Sequence, residues 1–201
     1  YRDGGYPARF TGAVPNPLPT YDPEYVKNYE FGYKTTFANG RARANLALFQ
    51  MDYEDMQISA TSNLPGIGDN TSKANLGNAT ISGFELELTA LIGDNLRLGL
   101  NLGVLDDEID SFKGTLVSSG ITLSKSNDLP FTPDYTVALT AAYDIPLENG
   151  AGITLRADYS MKDDYYSRTE NIPEVLEKDH KTLNVSARYF SPDDKWEAGV
   201  I

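Results

Sequence analysis

Residues 95–104 read Asn95-Leu96-Arg97-Leu98-Gly99-Leu100-Asn101-Leu102-Gly103-Val104, and this stretch decides the fold. Leucine or valine stands at every even position from 96 to 104, and a polar residue or glycine stands at each odd position between them. A period of two residues predicts a β-strand with one apolar face. Soluble strands average about 5–6 residues, whereas a strand that crosses a bilayer needs about 9–11. The stretch therefore predicts a membrane-spanning strand.

The rest of the chain repeats this alternation between connections of two different lengths. The other alternating segments are residues 29–37, 84–92, 135–143, 153–161 and 183–189. Short connections at 38–40, 93–95, 146–150 and 191–194 alternate with long ones at roughly 55–78, 107–132 and 163–179. Outer-membrane barrels have short periplasmic turns and long outer loops. We therefore expect an all-β fold, an antiparallel up-and-down transmembrane β-barrel segment of about eight strands.

One predicted strand has a less regular pattern. Residues 41–53 carry apolar side chains on both faces, with Leu46 and Leu48 on one and Phe49, Met51 and Tyr53 on the other. A β-bulge that changes the phase of the strand explains this pattern. Packing of the second face against something inside explains it equally well.

Aromatic residues concentrate towards the two ends of the predicted strands. Those near the short turns are Phe37, Tyr143, Tyr189 and Trp196, and those near the long loops are Tyr25, Tyr29, Tyr53, Tyr135 and Tyr159. Two aromatic belts around an aliphatic band are typical of a barrel at the two lipid–water interfaces.

Composition excludes several classes of protein. The chain has 201 residues, a net charge of −12 and no cysteine. Such an acidic chain does not favour nucleic acid as a partner, because phosphates require a basic surface. Without cysteine there is no disulfide, zinc–thiolate site or thiol catalysis. No apolar run approaches the length of about 18 residues that a transmembrane helix needs.

Four segments, in this order, resemble TonB-dependent outer-membrane receptors. They are residues 23–34 (PEYVKNYEFGYK), 48–57 (LFQMDYEDMQ), 75–87 (NLGNATISGFELE) and 129–133 (LPFTP). Each lies on a predicted strand or strand start, and the resemblance spans residues 21–201. It implies a barrel of about 22 strands with an N-terminal plug inside it.

The resemblance also implies a function and a location. We expect residues 1–201 to be a partial receptor barrel domain without the plug and the final strands. Its place would be the bacterial outer membrane, where it would help take up a scarce nutrient, above all a ferric siderophore. The implied partners are outer-membrane lipid, the TonB system acting through the plug, and the small-molecule ligand.

No arrangement of residues predicts an enzyme or a bound cofactor. The single histidine, His180, lies in a charged segment at a loop–strand boundary, and the G-x-S-x-G and phosphate-loop motifs are absent. Acidic clusters at 106–110 and 163–164 lack the spacing of a calcium loop and are expected to be solvated. We predict no catalytic residues and no metal site.

Ligand contacts are expected in the long loops. Tyr165, Tyr166 and Arg168 can contact an anionic or aromatic ligand by stacking or charge. Residues 63–73, rich in Asn, Gly, Ser and Thr, are typical of a mobile outer loop.

Other predictions concern the polar face of the strands and the competing folds. Glu85 and Glu87 would point into a barrel lumen, with Arg97, Arg156 or Arg188 as counter-ions.

Two folds are alternatives to a segment of a receptor barrel. They are a soluble or cell-surface all-β binding domain, and a complete eight-stranded barrel.

Overall fold

The computed structural model describes residues 1–6, 20–64, 68–113, 117–118, 120–193 and 195–201. The one helical turn in these ranges is a 3₁₀ turn at Pro173–Val175, and no described helix has the length and apolar character needed to cross a membrane. The strands are β1 (Tyr25–Phe37), β2 (Ala42–Glu54), β3 (Gln57–Leu64), β4 (Gly68–Asn75), β5 (Gly77–Ile92), β6 (Leu96–Phe112), β7 (Val117–Ser118), β8 (Ile121–Thr122), β9 (Tyr135–Pro146), β10 (Gly152–Lys162), β11 (Tyr165–Tyr166), β12 (Leu176–Glu177), β13 (His180–Phe190) and β14 (Glu197–Val200).

Eight of these strands form one antiparallel sheet in the order β1-β2-β5-β6-β9-β10-β13-β14. Each strand therefore pairs with the next long strand along the chain, which confirms the all-β, up-and-down prediction. The short connections all lie at one rim. The connection from β1 to β2 contains Ala38, Asn39 and Gly40, whose φ angles of 52°, 57° and 85° suit a left-handed turn.

The long connections at the opposite rim have structure of their own. Two-stranded ladders form within them: β3 with β4, β7 with β8, and β11 with β12. The backbone of residues 57–64 and 68–75 is a hairpin, in place of the mobile loop expected over 63–73; residues 65–67 lie outside the described ranges. Pairing across the hairpin satisfies backbone groups that the composition alone assigns to a loop.

Within the central rows of the sheet, register puts the alternating apolar residues of the long strands on one face. Leu88, Leu100, Leu139, Tyr159 and Leu183 are direct cross-strand neighbours in a row over five strands. This face is open, with Leu139 43% and Leu183 65% exposed. In the described structure no second sheet covers it, as a soluble sandwich would require. An uncovered apolar face of this width is the surface that a barrel presents to lipid.

The opposite face is polar and carries ion pairs between neighbouring strands. Arg97 makes a two-point contact with Asp144, with Nη1 2.5 Å from Oδ2 and Nη2 3.2 Å from Oδ1. Arg156 Nε lies 2.7 Å from Asp158 Oδ2 on its own strand. The prediction that Arg97 and Arg156 neutralise Glu85 and Glu87 is therefore wrong, because both arginines pair with aspartates. Arg188 as a counter-ion stays a prediction.

Beyond the membrane-spanning rows, the polar face changes character and becomes an outer core. The outer core consists of Ile58, Leu76, Ala79, Ile81, Ile109, Leu123 and Leu129. Its strand residues share a face with Glu85, and its loop residues fold over them. Met51 and Tyr53 pack against this outer core.

The outer core explains the irregular pattern of residues 41–53. β2 pairs with β1 and β5 without any register shift, so the bulge interpretation is wrong and the packing interpretation is right. The prediction that Tyr53 belongs to the outer aromatic belt is also wrong, since Tyr53 lies on the polar face and packs against the outer core. Phe37, Tyr143 and Trp196 lie on the apolar face near the short turns, and the rings of Tyr189 and Trp196 are 5.3 Å apart.

A bulge does occur at the outer ends of β5 and β6, where the register shifts between Asn78 and Ala79. Both strands run further into the long connections than the sequence predicts, because Ala79 pairs with Ile109 inside the outer core. Gly77 makes this possible. Its φ is 129°, and a Cβ there would lie 2.1 Å from the Ser111 carbonyl oxygen.

We expect Leu100→Arg to destabilise the membrane-inserted protein by about 2–4 kcal/mol, because the charge would lie in the apolar row. Asn101→Arg, one residue along on the polar face, is the matched control and should change stability by under about 1 kcal/mol. Denaturant titration of the protein folded in lipid measures both. Equal effects of the two changes would contradict the assignment of faces.

Gly77→Ala should cost on the order of 3 kcal/mol, because the new Cβ meets backbone atoms at a φ that L-residues avoid. The control is Gly32→Ala in β1, where a Cβ would meet nothing within 4 Å. Hydrogen exchange at the outer ends of β5 and β6 should accelerate only in the first variant. Unchanged protection in Gly77→Ala would show that the close approach does not constrain this end of the sheet.

Candidate ligand cavity in the outer loops

The three long connections meet around one cavity at the outer rim. Its volume is about 430 Å³. The lining residues are Met56, Gln57, Ile58 and Ser59 from the first connection, Pro130 and Phe131 from the second, and Ser167, Arg168, Thr169 and Glu170 from the third. A cavity built by several loops on a rigid sheet is a common position for a binding site.

Phe131 is the most unusual residue of this cavity. Its side chain is 66% exposed, although it is large and apolar. Its φ is 67°, a left-handed conformation that costs a bulky residue on the order of 1–3 kcal/mol. The Phe131 N–H donates to the Tyr166 carbonyl oxygen at 2.9 Å, which helps hold this conformation. Strain that exposes an aromatic ring at a cavity points to ligand contact.

The sequence-predicted residues all lie at or beside the cavity. Arg168 lines it directly. Tyr165 contacts Phe131, with the ring centroids 6.0 Å apart and the planes tilted by 44°. Tyr166 does not line the cavity. It pairs with Leu176, and its carbonyl oxygen accepts the hydrogen bond from the Phe131 N–H. The fold therefore brings the three predicted residues to one cavity, where Arg168 lines the wall and Tyr165 and Tyr166 contact Phe131.

Amide side chains lock the second connection to the third. Asn171 accepts from the Asp128 N–H at 2.5 Å and donates to the carbonyl oxygens of Asp128 and Arg168 at 3.1 and 3.2 Å. Asn127 donates to the Thr169 carbonyl oxygen at 2.8 Å. These bonds set the distance between the segment of Phe131 and the segment of Arg168.

The first connection is held from the other side by the N-terminal segment. The Gln57 N–H donates to Glu24 Oε2 at 2.6 Å. Its side-chain amide donates to the carbonyl oxygens of Asp3 and Asp22 at 3.0 and 3.1 Å. Because Gln57 is buried and fully engaged, the wall that includes Ile58 and Ser59 has a fixed position.

Carboxylates in the chain segments that flank Phe131 and Tyr165 affect one another. Burial, followed by repulsion from Asp107, raises the pKa of Asp128. Burial, followed by repulsion from Asp163, raises the pKa of Asp134. The outer rim is therefore a region of negative potential at neutral pH.

The single histidine and the acidic side chains are further candidates for a chemical site. His180 Nε2 lies 2.9 Å from the Thr182 hydroxyl, and His180 borders a second cavity of about 670 Å³ on the polar face. Among the described residues, no group of three or more His, Cys, Asp and Glu side chains could hold a metal ion. The outer cavity offers stacking, hydrogen bonding and charge, which are the means of reversible binding.

Sequence reasoning missed Phe131, Asn171 and Gln57. Phe131 lies between Pro130 and Pro133 in a long connection, so its exposure had a local signal. No local pattern in the sequence indicates that Asn171 and Gln57 hold the cavity walls, because their hydrogen-bond partners lie far away along the chain.

Comparison with known proteins agrees with this architecture. The sequence profile of the family described as "TonB dependent receptor-like, beta-barrel" matches residues 1–200. The chain is 27% identical over 137 residues to a probable TonB-dependent siderophore receptor, PiuA, of Acinetobacter baumannii, which covers 65% of this chain and 17% of that protein. The chain thus spans about a sixth of the length of this curated relative.

Solved structures show the same fold. The ferric yersiniabactin uptake receptor FyuA from Yersinia pestis superposes with a TM-score of 0.66 at 21% identity, covering 93% of this chain and 25% of FyuA. The crystal structure of PiuA superposes with a TM-score of 0.60 at 22% identity, covering 84% of this chain and 22% of PiuA. The family match places the chain in the bacterial outer membrane, and the open apolar face of the sheet agrees with a membrane location. The chain belongs to the TonB-dependent receptor β-barrel family.

Proposed function

We propose that the chain is part of an outer-membrane receptor that takes up a ferric siderophore. In this proposal residues 1–201 are part of a barrel domain. They contribute eight strands to a barrel of about 22, and strands outside this chain close it. Energy would come from the TonB system, acting through a plug domain inside the barrel. The role is transport, so no residue of this chain would perform catalysis.

The outer cavity is the observation that carries the proposal. Its three walls come from three different loops, and each wall is held by hydrogen bonds that fix its position. A preformed cavity loses little conformational entropy when a ligand binds. The named relatives and solved structures that match the chain are siderophore receptors, which supports iron as the cargo.

Phe131, Tyr165 and Arg168 are the proposed ligand contacts. The two rings offer apolar and stacking surface to the organic part of a siderophore. Arg168 can donate several hydrogen bonds to its oxygen atoms. Tyr166 would act indirectly, through the carbonyl that positions Phe131.

A soluble binding domain is the less favoured reading, because its apolar strand faces would be covered. Here Leu139, Leu183 and their neighbours are open. The same exposure is expected of a surface that meets lipid.

In the complete receptor, Phe131→Ala and Arg168→Gln should each weaken binding of a ferric siderophore by about tenfold, since a stacked ring or a charged donor contributes roughly 1–2 kcal/mol. Binding is measured by titration with ferric tris-hydroxamate and ferric tris-catecholate complexes. The control is Glu148→Gln in the short turn at the opposite rim, which should bind as the unchanged receptor does. The proposal fails if the unchanged receptor binds neither complex, or if both variants bind as tightly as the control.

A further inference from the structure

Aspartates bracket the aromatic pair of the outer cavity. Asp128 and Asp134 lie three residues before and three residues after Phe131, and Asp163 and Asp164 directly precede Tyr165. The ring contact between Phe131 and Tyr165 joins the two segments. Repulsion from Asp134 and Asp164 contributes to the raised pKa of Asp128, and repulsion from Asp163 and Asp164 contributes to that of Asp134, so the four carboxylates act on one another. In the proposed function the cavity is the binding site, and these aspartates would determine the electrostatic potential that a ligand meets there.

These carboxylates are not neutralised by the protein. In the described parts of the chain, none of the four forms an ion pair with a basic side chain. Repulsion from Asp107 contributes to the raised pKa of Asp128 and of Asp134, which shows that the group extends onto β6.

Fewer basic than acidic side chains lie near the cavity. Arg168 lines the cavity together with Glu170, so the lining itself contains one charge of each sign. Lys162 Nζ lies 4.2 Å from the centroid of the Tyr165 ring, on the strand that ends just before Asp163. Lys181 also acts on Tyr135, next to Asp134, but its ammonium group pairs with Asp179 at 2.8 Å. The unpaired aspartates therefore keep a negative field around the aromatic pair.

We propose that the cavity selects ferric complexes of neutral or positive net charge and disfavours trianionic ones. The inference rests on the proposed function and narrows its substrate class. Complexes in which three hydroxamates bind Fe(III) have a neutral iron core, and a cationic tail makes the whole complex positive. Three catecholates leave the complex trianionic, which would meet repulsion from the aspartates. Arg168 then serves as a hydrogen-bond donor to ligand oxygens, with its charge outweighed.

The test compares two probes on the complete receptor: ferrioxamine B, a cationic ferric tris-hydroxamate, and a trianionic ferric tris-catecholate. The cationic probe should bind more tightly at low salt. Asp134→Asn with Asp164→Asn should shift the ratio of the two affinities towards the anion by on the order of tenfold. Added salt should reduce this shift, because both aspartates are exposed.

The matched control removes two exposed charges from the opposite rim, with Asp94→Asn and Glu148→Gln. It should leave the affinity ratio unchanged. Tighter binding of the trianionic probe to the unchanged receptor would overturn the inference while leaving siderophore uptake intact. The inference would also be overturned if the control variant shifted the affinity ratio as much as Asp134→Asn with Asp164→Asn does. If neither probe binds, the proposed function itself fails, and the inference fails with it.

Discussion

Antiparallel pairing without slippage between long strands is the constraint on which the rest of the structure depends. Directly paired residues share a face, so the register that joins Leu88 to Leu100 and Leu100 to Leu139 also aligns every other apolar residue of those strands. A shift of one residue in any strand would place its leucines among the polar groups and its charges in lipid. Backbone hydrogen bonds and the hydrophobic effect thus favour the same register, because lipid cannot satisfy an unpaired backbone group.

The outer ends of the strands extend beyond the membrane and form part of a protein core. β5 and β6 are 16 and 17 residues long, which exceeds the length of about 9–11 needed to cross the bilayer. Beyond the membrane their polar face becomes apolar, and the long connections fold back over it to form the outer core. This packing orders segments that would otherwise be loops, and it places Gln57, Phe131 and Arg168 around one cavity. The geometry of the cavity is therefore a consequence of how the loops bury Ile58, Leu123 and Leu129.

Local signals allowed the strands and the short turns to be predicted from sequence, because alternation and a turn such as Ala38-Asn39-Gly40 are complete within a few residues. Residue type and position in a long connection also led to the prediction that Tyr165 and Arg168 contact a ligand. The partners of Arg97 and the side occupied by Tyr53 were not, since each depends on strands distant in the chain. The outer halves of β5 and β6 were missed because Asp106, Asp107 and Glu108 give that stretch the composition of a loop.

Site-directed spin labelling along β6 tests the membrane-facing sheet most directly. The chain has no cysteine, so a single cysteine at each position from 97 to 102 can be labelled in the receptor reconstituted into bilayers. Labels at 98, 100 and 102 should collide with oxygen, which concentrates in lipid, and labels at 97, 99 and 101 should favour a water-soluble nickel complex. That alternation with a period of two is the predicted result. Even-numbered labels shielded from both reagents would contradict it, because they would place the leucines in a protein core instead of in lipid.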